Sequence, residues 1–122
     1  MTDLEPGSVV LVRFPFTDLS SIKRRPAIVV STTAFHRWTH DVIVVAVTSV
    51  PSALPGDFPL MDWQASSLVK PSWARAGKLL TLHESLVEDV LGRVSARDWT
   101  QIRQAWQTVL APLSGASDPT DA

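Results

Sequence analysis

The sequence predicts a mainly β domain, a small and partly open barrel of the SH3-like sort with one helix at its C-terminal end. Three observations support this fold class. Short runs rich in β-branched residues recur, with proline and glycine turn signals between them. No long helical pattern separates these runs, which argues against a parallel α/β sheet. The apolar period becomes helical only after residue 94.

β-Branched and aromatic residues dominate the first three predicted strands, which are Val9–Phe14, Pro26–Ser31 and Asp41–Ser49. The second of them begins with proline, a position where the missing N–H group is tolerated. All three are apolar at consecutive positions, so we expect them to be covered on both faces. The polar residues 17–21 between the first two strands predict a loop.

The second half of the predicted sheet is less regular. Proline and glycine within 51–56 predict an excursion from the sheet. Pro59 marks the short strand 57–60 as an edge strand, because proline donates no ladder hydrogen bond. One or two helical turns are predicted at 63–68. A long strand bent at Gly77 follows at 73–82, and a last strand at 87–94.

The C-terminal helix is predicted to begin after Ser95, which caps its free amides, with Asp98 completing an aspartate variant of the capping box. An apolar stripe that should pack on the sheet follows at helical spacing: Trp99, Ile102, Trp106, Val109 and Leu110. The helix is expected to end near Pro112. We therefore expect a single domain over residues 1–113 and a disordered tail over 114–122.

The composition excludes several classes of protein. The chain has no cysteine, so it has no disulfide framework, thiolate metal site or cysteine nucleophile. Its first residues lack the basic charge of a signal peptide, and its apolar runs are too short to span a bilayer, so we expect a cytoplasmic protein without a membrane segment. His36 and His40 are predicted to be surface residues of a linker, and His83 to have a structural role. These spacings predict no metal site.

Clustering of charge is more informative than net charge. The net charge is −1, but Asp118 and Asp121 lie in the predicted tail, which leaves eleven basic and ten acidic residues before it. This balance neither requires nor excludes a nucleic-acid partner. Residues 23–25 form the only run of three like charges in the chain. Composition alone leaves open whether this run is a functional patch or a solvated turn.

Three segments in this order resemble the MazF/PemK family of toxin–antitoxin endoribonucleases, namely 6–12, 23–31 and 44–49, and the resemblance continues through 77–82. It implies a homodimer of SH3-like barrels, a fold shared with CcdB-like toxins. It also implies cleavage of single-stranded RNA, such as mRNA, at short sequences to leave a 2′,3′-cyclic phosphate, without a metal or cofactor. The expected partner is a cognate antitoxin whose disordered segment covers the groove of the dimer.

Cleavage by the RNA's own 2′-hydroxyl requires groups that orient it, remove its proton and stabilise the charge on the phosphate. The resemblance assigns catalysis to Arg25, in an Arg-Pro motif, and to Thr48, in a Thr-Ser pair. A guanidinium group binds phosphate oxygens in bidentate fashion, and a hydroxyl hydrogen-bonds a phosphate or the 2′-hydroxyl. The alternatives are a solvated turn for Arg25 and ordinary strand packing for Thr48.

Further RNA-binding candidates surround this pair: Ser20, Lys23, Arg24, Ser49, Trp73 and Arg75. Trp73 offers a face for base stacking, whereas Trp99 and Trp106 are predicted to be core residues. Arg75 aligns with a second catalytic arginine of some family members. The acid that follows two residues later in those members is Gly77 here, and their first-loop histidine is also missing. The general base is therefore not assigned.

Two alternatives to the endoribonuclease remain open. One is a non-catalytic, CcdB-like toxin that acts on a protein target. The other is a degenerate SH3-like binding module. The pairs Arg25-Pro26 and Thr48-Ser49 favour the nuclease, because a protein-binding toxin needs neither. The missing carboxylate and histidine keep the degenerate module open.

Overall fold

A computed structural model of the protein describes residues 4–14 and 23–111. Its helices and strands are β1 (Ser8–Phe14), β2 (Lys23–Val29), α1 (Thr33–Thr39), β3 (Asp41–Thr48), β4 (Asp57–Pro59), β5 (Trp73–His83), a 3₁₀ turn (Glu84–Leu86), β6 (Val87–Arg93) and α2 (Ala96–Val109). The predicted loop 17–21, the candidate Ser20 and the predicted tail 114–122 lie outside the described residues. No helix within the described ranges is long and apolar enough to cross a membrane.

The six strands form one antiparallel sheet in the order β4-β5-β3-β2-β1-β6. Within the described part of the chain, β4 and β6 are the edges of this sheet and do not pair with each other. The predicted mainly β fold, with a partly open barrel and a C-terminal helix, is therefore confirmed. β4 ends at Pro59 and is an edge strand, as the sequence predicted.

The central strands are buried on both faces, as their continuous apolar runs predicted. On one face, Val9 and Val45 belong to a cluster that includes Ile102 of α2. On the other face, the neighbouring residues Val10 and Val44 belong to a second cluster. Successive residues such as Val9 and Val10 thus enter different clusters, because successive side chains point to opposite faces of a strand. Each fully buried valine of this kind contributes about 1.5–3 kcal/mol to folding.

β2 begins at Lys23, three residues before the predicted start, so Pro26 lies inside the strand rather than at its first position. Its pairing with β1 already begins at Lys23, opposite Phe14, whereas its pairing with β3 begins only at Ala27. Pro26 therefore lies where one side of β2 is unpaired, and its missing N–H group breaks no ladder there. The consequence is that residues 23–25 belong to the strand itself rather than to the segment before it.

α1 occupies the segment that was predicted to be a linker. Its N-terminal cap, Thr32, accepts a hydrogen bond from the Phe35 N–H group at 3.1 Å, and His40 ends the helix in the left-handed conformation with φ 60°. The prediction that His36 is a surface residue is wrong, because its side chain is buried and its Nε2 lies 2.6 Å from Glu84 Oε2. His40 is exposed, as predicted. A seven-residue helix shows too few turns to reveal a period in sequence.

The segment 63–68 contains hydrogen-bonded turns, as predicted, including an i→i−4 bond from the Ser66 N–H group to the Asp62 carbonyl at 3.1 Å. Its neighbour 61–62 is held by Asp98, whose fully buried carboxylate accepts hydrogen bonds from the Met61 and Asp62 N–H groups, both at 2.9 Å. Asp98 therefore ties α2 to this segment, which corrects the predicted capping box. The other half of that prediction is confirmed, because Ser95 caps α2 by accepting from the Asp98 N–H group.

α2 packs on the sheet through the predicted stripe. Ile102 is fully buried, and Trp99 and Trp106 pack edge to face against each other beside the core. The Trp106 indole donates a hydrogen bond to the Ala76 carbonyl at 3.2 Å, which fixes α2 against β5. Leu110 caps the helix and is about half exposed, so the buried stripe ends one residue earlier than predicted.

Candidate active site

The register between β3 and β5 contains an irregularity that shapes the site. Val45 pairs with Leu79, but the next residue, Ala46, pairs with Arg75, so residues 76–78 of β5 bulge out of the ladder. The bend predicted at Gly77 is confirmed. Arg75 and Lys78 are three residues apart and would face opposite sides of a regular strand. Because of the bulge, both line the same cavity.

On β2, alternation separates the three consecutive cations. Lys23 and Arg25 both line the cavity that Arg75 and Lys78 also line. Arg24 binds elsewhere, with its Nε 2.6 Å from Glu88 Oε2 on β6. Arg24 itself does not line this cavity, which agrees with the alternation of side chains along a strand.

Two adjoining cavities of about 490 and 450 Å³ lie beside this part of the sheet. They share a wall made of Lys23, Arg25, Pro26, Val47 and Thr48. We call the larger one the cationic cavity; it is completed by Phe14, Ala46, Arg75, Lys78 and Leu80. We call the other the neighbouring cavity; it is completed by Arg24, Ser49, Leu68, Val69, Lys70 and Ser72.

The cationic cavity concentrates positive charge in a protein whose net charge is −1. Four basic side chains line it, Lys23, Arg25, Arg75 and Lys78, and its described lining contains no acidic residue. Like charges so arranged repel each other unless an anion lies between them. The arrangement is suited to a polyanion such as a phosphodiester backbone.

Thr48 lies in the wall between the two cavities, at the end of β3. Its Oγ1 accepts a hydrogen bond from the Val50 N–H group at 3.1 Å. This contact orients the side chain and leaves the hydroxyl proton for donation to a bound group. Thr48 and Arg25 thus line the same cavity, although they are 23 residues apart in the chain.

The predicted site residues divide into three groups. Arg25, Thr48, Lys23 and Arg75 line the cationic cavity, and Arg24 and Ser49 line only the neighbouring one. Trp73 pairs with Thr48 in the register of β3 and β5 but lines neither cavity. Trp63 packs against the core.

Sequence reasoning missed the basic residues Lys70 and Lys78 and the acid Asp57. The position of Lys78 directly after Gly77 could have revealed it, because a bulge at a glycine changes the side of the strand on which the next side chains lie. Asp57 gave no local signal, because its significance comes from its cross-strand partner Arg75. Within residues 4–14 and 23–111, no group of three or more histidine, aspartate or glutamate side chains is arranged to hold a metal ion.

Two perturbed carboxyl groups lie outside both cavities. The hydrogen bond from His36 lowers the pKa of Glu84 below its usual value. The Arg97 guanidinium donates two hydrogen bonds of 2.7 Å to Asp62 and, with a smaller contribution from Ser95, lowers the pKa of that carboxyl to about 2. Both groups link elements of the fold rather than face the site.

Comparison with known proteins places the chain among toxins. The profile of a family described as PemK-like, MazF-like toxin of type II toxin–antitoxin system matches residues 5–110. No curated protein sequence matches the chain.

Several solved structures share the fold. An endoribonuclease from a mycobacterial species, in complex with its cognate antitoxin, is 24% identical over 87% of this chain and 93% of its own, with a TM-score of 0.72. An endoribonuclease from a mycobacterial species is 25% identical over 90% of this chain and 93% of its own, with a TM-score of 0.70. MazF from Deinococcus radiodurans is 23% identical over 90% and 98%, with a TM-score of 0.73.

Proposed function

Because the chain belongs to the PemK-like, MazF-like toxin family of type II toxin–antitoxin systems, we propose that it is an endoribonuclease that cuts single-stranded RNA in the cationic cavity. The observation that supports this most directly is the composition of that cavity. Four basic side chains and the Thr48 hydroxyl face one space, and no acidic residue is among its described lining. An RNA phosphate is the ligand that such a lining favours.

In the proposed reaction, the 2′-hydroxyl oxygen attacks the adjacent phosphorus and the bond from phosphorus to the 5′-oxygen breaks. The products are a 2′,3′-cyclic phosphate and a free 5′-hydroxyl end. Arg25 stabilises the charge that builds up on the non-bridging phosphate oxygens, and Thr48 donates a hydrogen bond that orients the phosphate or the 2′-hydroxyl. The cations of the cavity provide the positive charge that a metal ion would otherwise supply, so we propose metal-independent cleavage.

The remaining RNA-binding candidates have supporting parts in this proposal. Lys23 and Arg75 bind phosphates in the cationic cavity, while Arg24, Ser49 and Lys70 contact the strand of RNA where it passes the neighbouring cavity. The exposed Val69 side chain there provides apolar contact for a base. RNA specificity for a short sequence would arise from this second cavity, because phosphate contacts carry no sequence information.

We also propose that an antitoxin regulates the site. One mycobacterial endoribonuclease of this fold is in complex with its cognate antitoxin, and MazF of Deinococcus radiodurans is in a complex with MazE. A disordered segment laid across a homodimer of this chain would cover the cavities, and acidic residues in it would match their charge. Since the substrate would be cellular mRNA, the proposed site of action is the cytoplasm.

The test is to incubate the purified protein with a long RNA in EDTA and to map the new ends. We expect cuts at a short recurring sequence with 5′-hydroxyl ends. We expect Arg25→Ala and Thr48→Val to lower the cleavage rate by about a hundredfold or more, as loss of a transition-state donor does in other enzymes. The matched control is Arg103→Ala, on the exposed side of α2, which should cut like the wild type.

RNA that stays intact with folded wild-type protein would contradict the proposal. If the protein were nevertheless toxic on expression, a CcdB-like toxin with a protein target would become the better interpretation. If it were neither toxic nor active on RNA, a degenerate SH3-like binding module would be favoured.

A further inference from the structure

Asp57, on the edge strand β4, contacts Arg75 of the cationic cavity. We propose that Asp57 is a positioning residue that holds the Arg75 guanidinium in place for RNA cleavage. This inference rests on the function proposed above. It also answers a question raised by the sequence, since the acid that accompanies the corresponding arginine in some family members is Gly77 in this chain.

The register of the sheet brings the two residues together. Asp57 lies directly opposite Arg75 in the ladder between β4 and β5, and Asp57 Oδ2 is 3.4 Å from Arg75 Nε. The Ser52 hydroxyl donates a hydrogen bond to the same carboxylate oxygen, Asp57 Oδ2. The carboxylate is thereby held from one side by the excursion before β4 and from the other by β5.

The difference in exposure between the partners shows which way the pair faces. The Asp57 side chain is only 3% exposed, whereas that of Arg75 is 30% exposed and lines the cationic cavity. A buried carboxylate is stable only with charged or hydrogen-bonding partners. Asp57 therefore lies behind Arg75, and the terminal nitrogens of the guanidinium, which bind no other described residue, remain for a phosphate.

The other neighbour of Arg75 leaves room for a ligand. Ala46 of β3 pairs with Arg75 on the side away from Asp57, and it also lines the cationic cavity. Thr48 lies two residues further along β3 and hence on the same face as Ala46. Arg75 thus has Asp57 on one side and, on the other, the small residue Ala46 close to Thr48. This arrangement directs the guanidinium to the reacting phosphate.

Position 77 does not offer an equivalent place for an acid. A Cβ atom built on Gly77 would lie 3.4 Å from Val109 Cγ1 of α2 and 3.8 Å from the Pro55 carbonyl oxygen. A side chain at this position would begin in the space between α2 and the excursion rather than in the cavity. The bulge in β5 is the reason, because it turns residue 77 away from the face that Arg75 occupies. In this chain, the carboxylate on the neighbouring strand takes the supporting position.

The experiment measures cleavage of a short single-stranded RNA by Asp57→Asn, Arg75→Gln and the double variant. We expect Asp57→Asn to lower kcat by about tenfold to a hundredfold with little change in KM, because misplacement by about 1 Å of a group that contacts the reacting phosphate has effects of up to this size. In the Arg75→Gln background, Asp57→Asn should have no further effect, since it acts through Arg75. Glu5→Gln, which removes an exposed carboxylate paired with Arg93, is the matched control and should be unchanged.

A second readout does not depend on activity. The NMR signal of the Arg75 Nε–Hε group, assigned by its loss in Arg75→Gln, reports the contact directly. We expect Asp57→Asn to shift this signal in the free protein and to alter its response to an oligonucleotide with a 2′-deoxy group at the cleavage site, which binds without being cut. Thermal melting of each variant shows that the fold is retained.

The outcomes separate this inference from the proposed function. Suppose first that the wild type cuts RNA. If Asp57→Asn then keeps kcat within twofold of the wild type, or if it lowers kcat by the same factor in the Arg75→Gln background, the positioning role is refuted and the nuclease stands. If the wild type cuts no RNA but the Arg75 signal depends on Asp57, the nuclease is refuted and the structural part of the inference stands. A signal that does not respond to Asp57→Asn would refute the contact itself.

Discussion

Replacing Asp98 by asparagine should destabilise the fold severely, although the two side chains have the same shape. Both carboxylate oxygens accept hydrogen bonds of 2.9 Å from backbone N–H groups, one from Met61 and one from Asp62, and the carboxylate is fully buried. An asparagine has one acceptor oxygen, and its NH₂ group would face the second N–H group. One charge-assisted bond is then lost and a buried donor is left unsatisfied.

The size of the effect follows from these contacts. A hydrogen bond to a charged acceptor contributes about 1.5–3 kcal/mol and an unsatisfied buried donor costs roughly 1–3 kcal/mol, so we expect a loss of about 3 kcal/mol. For 122 residues, an entropy of unfolding of about 2.1 cal/mol/K per residue gives about 0.26 kcal/mol/K. The expected decrease in Tm is therefore about 12 °C.

The assay is thermal unfolding by circular dichroism at pH 7, at one protein concentration so that any dimerisation affects all variants equally. Asp89→Asn makes the same chemical change at an exposed carboxylate bonded to its neighbour Val90, and it should shift Tm by no more than about 2 °C. If Asp98→Asn melted within about 4 °C of the wild type, the argument that these two bonds tie α2 to residues 61–62 would be refuted.

Two further predictions concern charge. Lys78→Gln should weaken binding of an oligonucleotide that carries a 2′-deoxy group at the cleavage site. It should also reduce the slope of log affinity against log salt by about 0.7, the value for one phosphate contact on a single strand. Arg103→Gln is the control, and an unchanged slope for Lys78→Gln would place Lys78 outside the interface. Because Arg97 lowers the pKa of Asp62 from 3.8 to about 2, this ion pair stabilises the fold fully above pH 3.8 and loses its contribution as pH falls toward 2. Arg97→Gln should therefore flatten the dependence of stability on pH in that range, as measured by denaturant unfolding, and an unchanged dependence would contradict the assigned cause.

Segments with strong local signals were predicted well. The C-terminal helix has a serine cap and a regular apolar stripe, and the structure contains it over Ala96–Val109. The bend at Gly77 was visible because glycine weakens a strand. By contrast, α1 was missed, and His36 was placed on the surface although it is buried and contacts Glu84, 48 residues away. Its burial depends on a partner that no local pattern reveals.

Local patterns in the sequence predict most of the strands and the terminal helix, and the family resemblance adds the candidate residues Arg25 and Thr48. How other side chains are grouped around these two depends on tertiary contacts. A bulge brings Lys78 to the same cavity as Arg75, and a neighbouring strand places Asp57 behind Arg75. The physical reason is that propensity and periodicity act over a few adjacent residues, whereas strand register results from the packing of residues far apart in the chain.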